Sequence, residues 1–294
     1  MNTKLYGLVE AGGTKFVLGV ATDKDTIEAT TRIEATTRIE TTTPDETIGA
    51  MLDWFGAQGT LDAIGVASFG PLDLDRQSPY WGHIGQTPKP HWSGANIAGF
   101  LHAMFACPVA IDTDVNGAAL AEYHWGAGQG QRSILYFTIG TGVGGGAVVD
   151  GRILHGLSHP EMGHIRIPRH PDDQEFAGTC PFHGACLEGL ASGPAITGRW
   201  GMSLSQLPAD HPAHGIIAFY IAQTVVTMQA IFAPARIIFG GGVMGTPRLI
   251  DRVREQAVTL GGGYFKGDPN EVVVLPGLGD RAGLLGALAL AQMA

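Results

Sequence analysis

The sequence predicts an α/β protein built from two related halves. Two stretches share one pattern, in which a glycine turn separates two apolar strands: "LYGLVEAGGTKFVLGVA" at 5–21 and "RSILYFTIGTGVGGGAVVDGRIL" at 132–154. Apolar β-formers on both sides of a short glycine turn are typical of a hairpin. The length of 294 residues suits two domains of ordinary size. We therefore expect a duplicated α/β domain with a boundary near residue 115.

In the first half, a third strand is expected near 27–41. That stretch contains a direct repeat, "TTRIEA" then "TTRIE", at 30–40. Six residues is an even number, so the repeat lengthens a hairpin without changing which side chains face the core. A helix at "DETIGAMLDWFGAQ" and a buried strand at "LDAIGVASFG" are predicted next.

A long segment rich in proline and glycine follows, "PLDLDRQSPYWGHIGQTPKPHWSG". Long irregular segments in a compact domain are usually functional or disordered. Its aromatic residues, Tyr80, Trp81 and Trp92, favour an ordered surface near a ligand.

The remaining elements alternate between helix and strand. "NIAGFLHAMFA" is predicted to be helical, and "PVAIDTDVNGAALAEYHWGAG" is a short strand that runs into a helix. "ARIIFGGGVM" is a strand and turn before another helix. The last helix, "DRAGLLGALALAQMA", is apolar almost all round and should be buried.

Composition excludes several classes of partner. The formal charge of −9, with no basic run, argues against nucleic acid or an anionic membrane. No signal peptide or membrane span is expected. Only three cysteines are present, which favours a reducing cytoplasm over a disulfide framework.

The glycine turns are candidate phosphate sites. "EAGGTKF" is not a Walker A sequence, because a strand and not a helix follows it. Its glycines allow close approach of a phosphate, and Thr14 and Lys15 add a hydroxyl and a charge. Taken alone, this turn could be an ordinary hairpin turn. Two such turns, one from each half, indicate nucleotide binding, and the cluster at 240–242 suits a flat ring or a ribose. The residues assigned to nucleotide binding are Gly12, Gly13, Thr14, Lys15, Gly140, Thr141, Gly142, Gly241 and Gly242.

Two carboxylates, Asp112 and Asp114, stand where a predicted strand ends and a helix begins. Strand ends are where open α/β sheets bind ligands. A kinase needs a carboxylate there to accept the proton of an attacking hydroxyl. Capping of the helix is the structural alternative for Asp114.

A metal-ligand pattern, Cys-x2-His-x2-Cys, lies in "GTCPFHGACLEG". Cys180, His183 and Cys186 can surround one tetrahedral zinc ion, and a site with four protein ligands is closed and structural. A metal-free reduced loop is the alternative. The pattern leaves the fourth ligand open among four histidines just upstream: His155, His159, His164 and His170.

Six motifs together resemble the ROK family, and most closely its bacterial zinc-containing fructokinase branch. They are "GLVEAGGTKFVLGV", "DTDVNGAALAE", "FTIGTGVGGG", "HPEMGHI", "CPFHGACLEGLASGP" and "IIFGGGVM". The resemblance implies a two-lobed, actin-like (ribonuclease-H-like) sugar kinase fold with an ATP cleft between the lobes. One lobe would comprise 1–115 and 280–294, and the other 116–279 with the zinc loop.

The resemblance also implies roles for single residues. Asp114 matches the catalytic base, and His164 matches the missing zinc ligand. The sugar contacts it implies are Asn96, Asp114, Glu161, His164 and Glu188. Mg²⁺ would accompany ATP, Zn²⁺ would be structural, and the protein would be a cytoplasmic homodimer.

The sequence departs from the family pattern at three places. Glu10 stands where most of these kinases carry an aspartate that is associated with magnesium and phosphate. Thr113 replaces the usual asparagine before the catalytic aspartate. The zinc loop is Cys-x2-His-x2-Cys in place of Cys-x-Cys-x4-Cys.

The resemblance thus implies transfer of the ATP γ-phosphoryl group to the 6-hydroxyl of D-fructose. A related hexokinase that prefers mannose or glucose is the first alternative, and the loops at 70–96 would decide between them. A sugar-responsive regulator of the same family would need a DNA-binding domain ahead of a hairpin that starts by residue 10. An actin-like ATPase without a sugar substrate is a third alternative, but it gives no function to Glu161 and His164.

Overall fold

The structure is a computed structural model that describes residues 4–22 and 33–294. Its first sheet has the strand order β3-β2-β1-β4-β5. The first three strands are antiparallel neighbours, and the last two run parallel to β1. The strands are β1 (Leu5–Ala11), β2 (Lys15–Thr22), β3 (Ile33–Glu40), β4 (Ala63–Ser68) and β5 (Val109–Thr113).

Three helices are connected to this sheet, α1 (Pro44–Gly56), α2 (Ile97–Phe105) and α3 (Asp114–Trp125). Thr43 caps α1, and a proline occupies its first turn, as is usual for a helix start. The predicted strand at 27–41 is present as β3, in which half-buried and exposed residues alternate. The part of that prediction at 27–32 lies outside the described residues.

Trp92 lies in the core of this region. It is fully buried, packs against Phe16 with ring centroids 5.4 Å apart, and donates its indole N–H to the carbonyl of Thr42. The expectation that Trp92 forms a surface near a ligand is therefore wrong. Tyr80, from the same segment, is exposed.

The second sheet has the order β10-β9-β6-β7-β8. Its strands are β6 (Ser133–Ile139), β7 (Val143–Val149), β8 (Arg152–Ile153), β9 (Arg236–Gly240) and β10 (Val273–Val274). When β6 is matched with β1, both sheets have the same order. In each, an antiparallel hairpin is followed by two parallel strands. The predicted duplication is confirmed by this topology.

The helices that follow β8 are α4 (Leu187–Ala191), α5 (Gly193–Trp200), α6 (Ala213–Phe232), α7 (Leu249–Gly261) and α8 (Pro269–Val272). Among the described residues, α6 alone is long and apolar enough to cross a membrane. It packs against α4 and α7, and most of its residues are buried. It is a core helix.

The chain divides into two compact units. The first unit comprises the described residues up to Gly126, Arg152–His159 and Leu278–Ala294, and the second comprises Ala127–Gly151 and Pro160–Gly277. The division follows α3 and does not precede it at residue 115. The reason is that α3 packs along the last helix, α9 (Ala282–Met293), which is buried as predicted.

Candidate active site and metal centre

The first glycine turn (residues 12–15) joins β1 to β2 in the first unit. Its backbone is closed by a hydrogen bond from the N–H of Gly12 to the carbonyl of Lys15, 2.9 Å. Thr41, just after β3, donates its hydroxyl to the carbonyl of Gly12 at 2.7 Å and its N–H to that of Thr14 at 3.0 Å. Thr14 and Lys15 are exposed. The turn is therefore held from its own sheet, with two polar side chains facing outward.

Asp114 is the first residue of α3, directly after β5. The cap of that helix is Thr113, whose hydroxyl accepts the N–H of Asn116. Asp114 accepts the N–H of Val115 at 2.9 Å. The capping function considered for Asp114 thus belongs to its neighbour.

Glu10 lies near Asp114. Its carboxyl group sits beside Gly283 at the start of α9. Burial raises the pKa of Glu10, and the negative charges of Asp114 and Asp280 raise it further, while Lys15 and Arg38 oppose them. Carboxylates gathered in this way are suitable ligands for a hard divalent cation.

The buried carboxylate of Asp112 pairs with a partly exposed histidine, a contact that the sequence did not predict. One of its oxygens lies 2.8 Å from Nε2 of His155. The other accepts the N–H of Thr113 and the side-chain amide of Asn116. The hydrogen bond to Asp112 raises the pKa of His155, and burial opposes that shift. The pair fixes the end of β5 next to Asp114.

The structure separates the four histidines that were candidates for the fourth metal ligand. His155 contacts Asp112, as described above. His159 accepts the N–H of Leu72 at 3.1 Å, and His170 accepts the N–H of Asp172 at 3.1 Å. His164 alone among the four lies with the cysteines in the described part of the chain.

The ligand atoms of His164, Cys180, His183 and Cys186 all lie within 4.8 Å of one another. Nδ1 of His164 is 3.7 Å from Sγ of Cys180 and 3.5 Å from Sγ of Cys186. Zinc bond lengths of about 2.3 Å to sulfur and about 2.0 Å to nitrogen place tetrahedral ligands roughly 3.6 Å apart. Two thiols and two imidazoles at these distances form a cluster that could bind such a metal.

The two ring nitrogens of His164 face different groups. Nδ1 faces the cysteines, and Nε2 lies 4.0 Å from the carboxylate of Glu161. A single imidazole can therefore hold a metal on one side and contact a ligand on the other.

The Cys/His loop (residues 180–186) leads directly into α4. Cys186 is the residue before the helix, and the N–H of Leu187 donates to the carbonyl of Ile165. Thr179 donates its N–H to the carbonyl of Gly189, within α4. Glu188 lies in the first turn of this helix, so the loop determines where its carboxylate stands.

The second glycine turn (residues 140–142) joins β6 to β7. It is closed by a hydrogen bond from the N–H of Gly140 to the carbonyl of Gly142, 2.9 Å. A Cβ built on Gly140 would lie 3.9 Å from the amide nitrogen of Gly242. The second turn and the third glycine cluster, Gly241 and Gly242, therefore lie side by side in the second unit.

Asn96 has a structural function in the fold. It is the N-cap of α2, and its side-chain oxygen accepts the N–H of Gly99 at 2.7 Å. The capping bond does not use its side-chain N–H groups, which could donate to a sugar hydroxyl. The sugar contact assigned to Asn96 stays a prediction.

The structure also contains a buried cluster of polar side chains that the sequence did not predict. We call it the Asp173 cluster (Asp173, Arg199 and Tyr220). Arg199 and the hydroxyl of Tyr220 bind the same oxygen of Asp173, at 2.5 and 2.6 Å. Burial raises the pKa of Tyr220 to about 12. Arg199 also donates to the carbonyl of Leu190 at the end of α4. The cluster thus ties α4, α5 and α6 to the chain just before Cys180.

Known proteins resemble this chain over its whole length. The fructokinase of Zymomonas mobilis subsp. mobilis is 50% identical, covering 99% of this chain and 97% of that protein. The fructokinase of Pediococcus pentosaceus is 42% identical, with 99% and 98% covered. The crystal structure of the ROK hexokinase from Thermus thermophilus superimposes with a TM-score of 0.77 at 27% identity, covering 98% of each chain.

The structural match confirms the predicted fold class, an α/β sugar kinase fold of the actin-like type, in which two mixed sheets carry the helices. Residues 6–294 match the ROK family, nearly all of the chain. The resemblance carried by the six motifs is thereby confirmed, and the chain belongs to the ROK family.

Proposed function

We propose that the protein is an ATP-dependent fructokinase, which transfers the γ-phosphoryl group of ATP to the 6-hydroxyl group of D-fructose. The observation that carries the proposal is its identity of 38–50% to proteins named fructokinase, over 99% of this chain. Proteins named glucokinase are 26–28% identical. These weaker relatives support a hexokinase with a glucose preference as the second candidate.

Asp114 is the catalytic base of the proposed reaction. Its carboxylate accepts the proton of the 6-hydroxyl as that oxygen attacks the γ-phosphorus. The new O–P bond forms while the bond between the γ-phosphorus and the leaving oxygen of ADP breaks. Support for this assignment comes from its place at the end of β5, where the Asp112–His155 pair holds the backbone beside it.

The glycine turns are proposed to hold the nucleotide. In the first unit the hydroxyl of Thr14 and the ammonium group of Lys15 would contact phosphate oxygens. In the second unit the contacts would come from the turn at 140–142 and from Gly241 and Gly242. Donors fixed before the reaction stabilise the charge that develops on the transferring group.

Magnesium enters with ATP in this proposal, and when bound it neutralises charge on the phosphates. The residue that would hold it is Glu10, whose half-buried carboxyl lies near enough to Asp114 and Asp280 for their charges to raise its pKa. Oxygen donors of this kind fit a hard cation. Glu10 can therefore serve the function of the family's aspartate with a side chain longer by one methylene group.

The hexose is proposed to contact Glu161, His164 and Glu188, together with Asn96 through its amide. With Nδ1 of His164 on the metal, the proton stays on Nε2, which then donates to a sugar hydroxyl. The carboxylates of Glu161 and Glu188 accept from neighbouring hydroxyls. A site built to satisfy several hydroxyls discriminates against sugars that lack one of them.

The metal of the Cys/His loop is proposed to be structural zinc. Four protein ligands leave no open position, so this ion does not activate water. Its function would be to fix the ring of His164 and the start of α4, because metal binding stabilises the fold around its ligands. None of the three cysteines forms a disulfide, which suits the proposed cytoplasmic location. We also propose a homodimer, which light scattering on the purified protein would test.

Release of ADP, measured in a coupled assay with D-fructose, D-mannose, D-glucose or no sugar, tests the proposed function. We expect turnover to depend on hexose and to be fastest with fructose. Asp114→Asn should lower kcat by at least about a hundredfold. Asp210→Asn, an exposed aspartate of the second unit, is the matched control. ATP consumption that ignores added hexose, or normal turnover in Asp114→Asn, would overturn the proposal.

A further inference from the structure

Val143, the first residue of β7, is contacted through both of its backbone polar groups. Its N–H donates to Oε2 of Glu188 at 3.1 Å. Its carbonyl oxygen faces Gly163, where a Cβ would lie only 1.7 Å away, so only glycine fits. Gly163 stands between Glu161 and His164 in the sequence. Both segments proposed to bind the sugar therefore meet the residue that follows the second glycine turn.

The turn itself also packs on the carboxylate of Glu188. A Cβ built on Gly142 would lie 2.8 Å from Oε2 of Glu188. At the other end of the turn, the carbonyl of Gly140 accepts the N–H of Gly193, the first residue of α5, at 2.7 Å. The turn is thus held on one side by α4 and on the other by α5.

The position of Glu188 is itself fixed from two directions. Cys186 of the Cys/His loop immediately precedes α4, and Arg199 of the Asp173 cluster donates to the carbonyl of Leu190 near the end of the helix. A carboxylate on so short and well-anchored a helix can orient the second glycine turn, because hydrogen bonds to a carboxylate are stronger than those between neutral groups.

We propose that Glu188 is a positioning residue for the second glycine turn and that it couples hexose binding to nucleotide binding. The inference rests on the proposed function, in which this turn holds phosphate. Oε2 orients the turn through the N–H of Val143, while Oε1 carries the sugar contact. A hexose that hydrogen-bonds to this carboxylate changes how firmly it holds the turn, and thereby changes nucleotide affinity. By linkage, the nucleotide changes hexose affinity by the same factor.

Nucleotide affinity without any hexose separates this function from a sugar contact. We would titrate wild type, Glu188→Gln and Glu188→Ala with a non-hydrolysable ATP analogue and Mg²⁺ in a calorimeter. Losing the acceptor in Glu188→Ala should weaken binding by about fivefold. Glu188→Gln should lose less, because its amide oxygen still accepts the N–H of Val143. Glu255→Ala, an exposed residue on α7, should bind as wild type does.

A double-mutant cycle tests the contact itself. Gly142→Ala should weaken nucleotide binding in the wild-type background, since its methyl group meets the carboxylate. In the Glu188→Ala background the same substitution should cost less, because the carboxylate oxygen that the methyl group would meet is gone. Circular dichroism and thermal melts of each variant establish that it is folded. Equal losses in both backgrounds would overturn the inference.

The last measurement repeats the nucleotide titration in the presence of fructose. The ratio of nucleotide Kd values without and with saturating fructose should fall towards one in Glu188→Ala. If wild type binds the analogue and Glu188→Ala binds it equally well, the inference fails and the proposed function stands. If wild type does not bind the analogue at all, the proposed function fails and this inference fails with it.

Discussion

The two glycine turns occupy equivalent places in two sheets of the same strand order, but they are held by different chemistry. The first turn is held by the hydroxyl and the N–H of Thr41, which lies just after β3 of the same sheet. The second is held by a carboxylate and by the start of a helix, both of which follow the Cys/His loop. A duplicated fold has thus kept the turn and changed its support. Under the proposed function, only the second support would depend on a metal and on a sugar-binding residue.

The largest expected effect is at the Asp173 cluster, which anchors the support of the second turn. Asp173→Asn leaves Arg199 buried without its ion-pair partner, which costs about 3–5 kcal/mol. Urea unfolding should show this loss in the second unit. Asp172→Asn, next to it and exposed, should change the unfolding free energy by less than about 0.5 kcal/mol. Equal effects of the two substitutions would mean that the cluster does not anchor α4.

Removal of the proposed zinc should loosen the second turn and leave the first turn unchanged. With free zinc at a hundred times its Kd, binding stabilises the folded protein by about 2.7 kcal/mol. A chelator, or Cys186→Ser, should remove this stabilisation. Amide hydrogen exchange should then quicken at Val143 and stay unchanged at Gly12, whose N–H is bound within the first turn.

Metal content measured by mass spectrometry provides the control for that experiment. Cys107→Ala removes a thiol outside the cluster and should keep the full content. Faster exchange at both turns, or at neither, would contradict the distinction between the two supports.

The sequence could predict what is local along the chain. Strand, glycine turn and strand are contiguous patterns, and both hairpins were predicted from them. The Cys-x2-His-x2-Cys spacing likewise brings three ligands together whatever the rest of the fold does. Asp114 was placed at the end of a strand because β5 and α3 are adjacent in sequence.

What the sequence could not predict depends on residues distant along the chain. Glu188 and Val143 are 45 residues apart, and Asp173 and Tyr220 are 47 apart. No periodicity links such pairs, since packing alone brings them together. The same holds for His155, which looked equivalent to His164 until the fold placed it on Asp112. Trp92 was misjudged because a proline-rich segment gives no sign of which aromatic residue turns inward.

Nucleotide binding at the first turn should depend on Thr41 and should not depend on the metal site of the second unit. Thr41→Val removes the hydroxyl that binds the carbonyl of Gly12 and should weaken nucleotide binding by about 1 kcal/mol. The loss should be the same with and without a chelator. Thr60→Val, at an exposed position, serves as the control. A loss in Thr41→Val that grows when the metal is removed would show that the two supports are not independent.

The smallest effect concerns pH and again contrasts the two units. The carboxylate of Asp112 has a titratable partner, His155, whereas that of Glu188 binds an amide that does not titrate. The pKa of His155 is raised in the folded state, chiefly by the hydrogen bond to Asp112. Its contribution to stability is therefore fully present below the unfolded pKa of about 6.5 and is lost as pH rises through the folded value.

Comparison of wild type with His155→Gln measures this contribution. Urea unfolding from pH 5.5 to pH 9 should show wild type as the more stable protein at the acidic end, with the difference shrinking as pH rises. Because His155 is partly exposed, water and salt screen the ion pair, and the effect should be smaller than that of Thr41→Val. A difference that is constant across this range would mean that His155 holds Asp112 as a neutral hydrogen-bond donor. The contacts of the Asp112 and Glu188 carboxylates would then differ in geometry alone and not in charge.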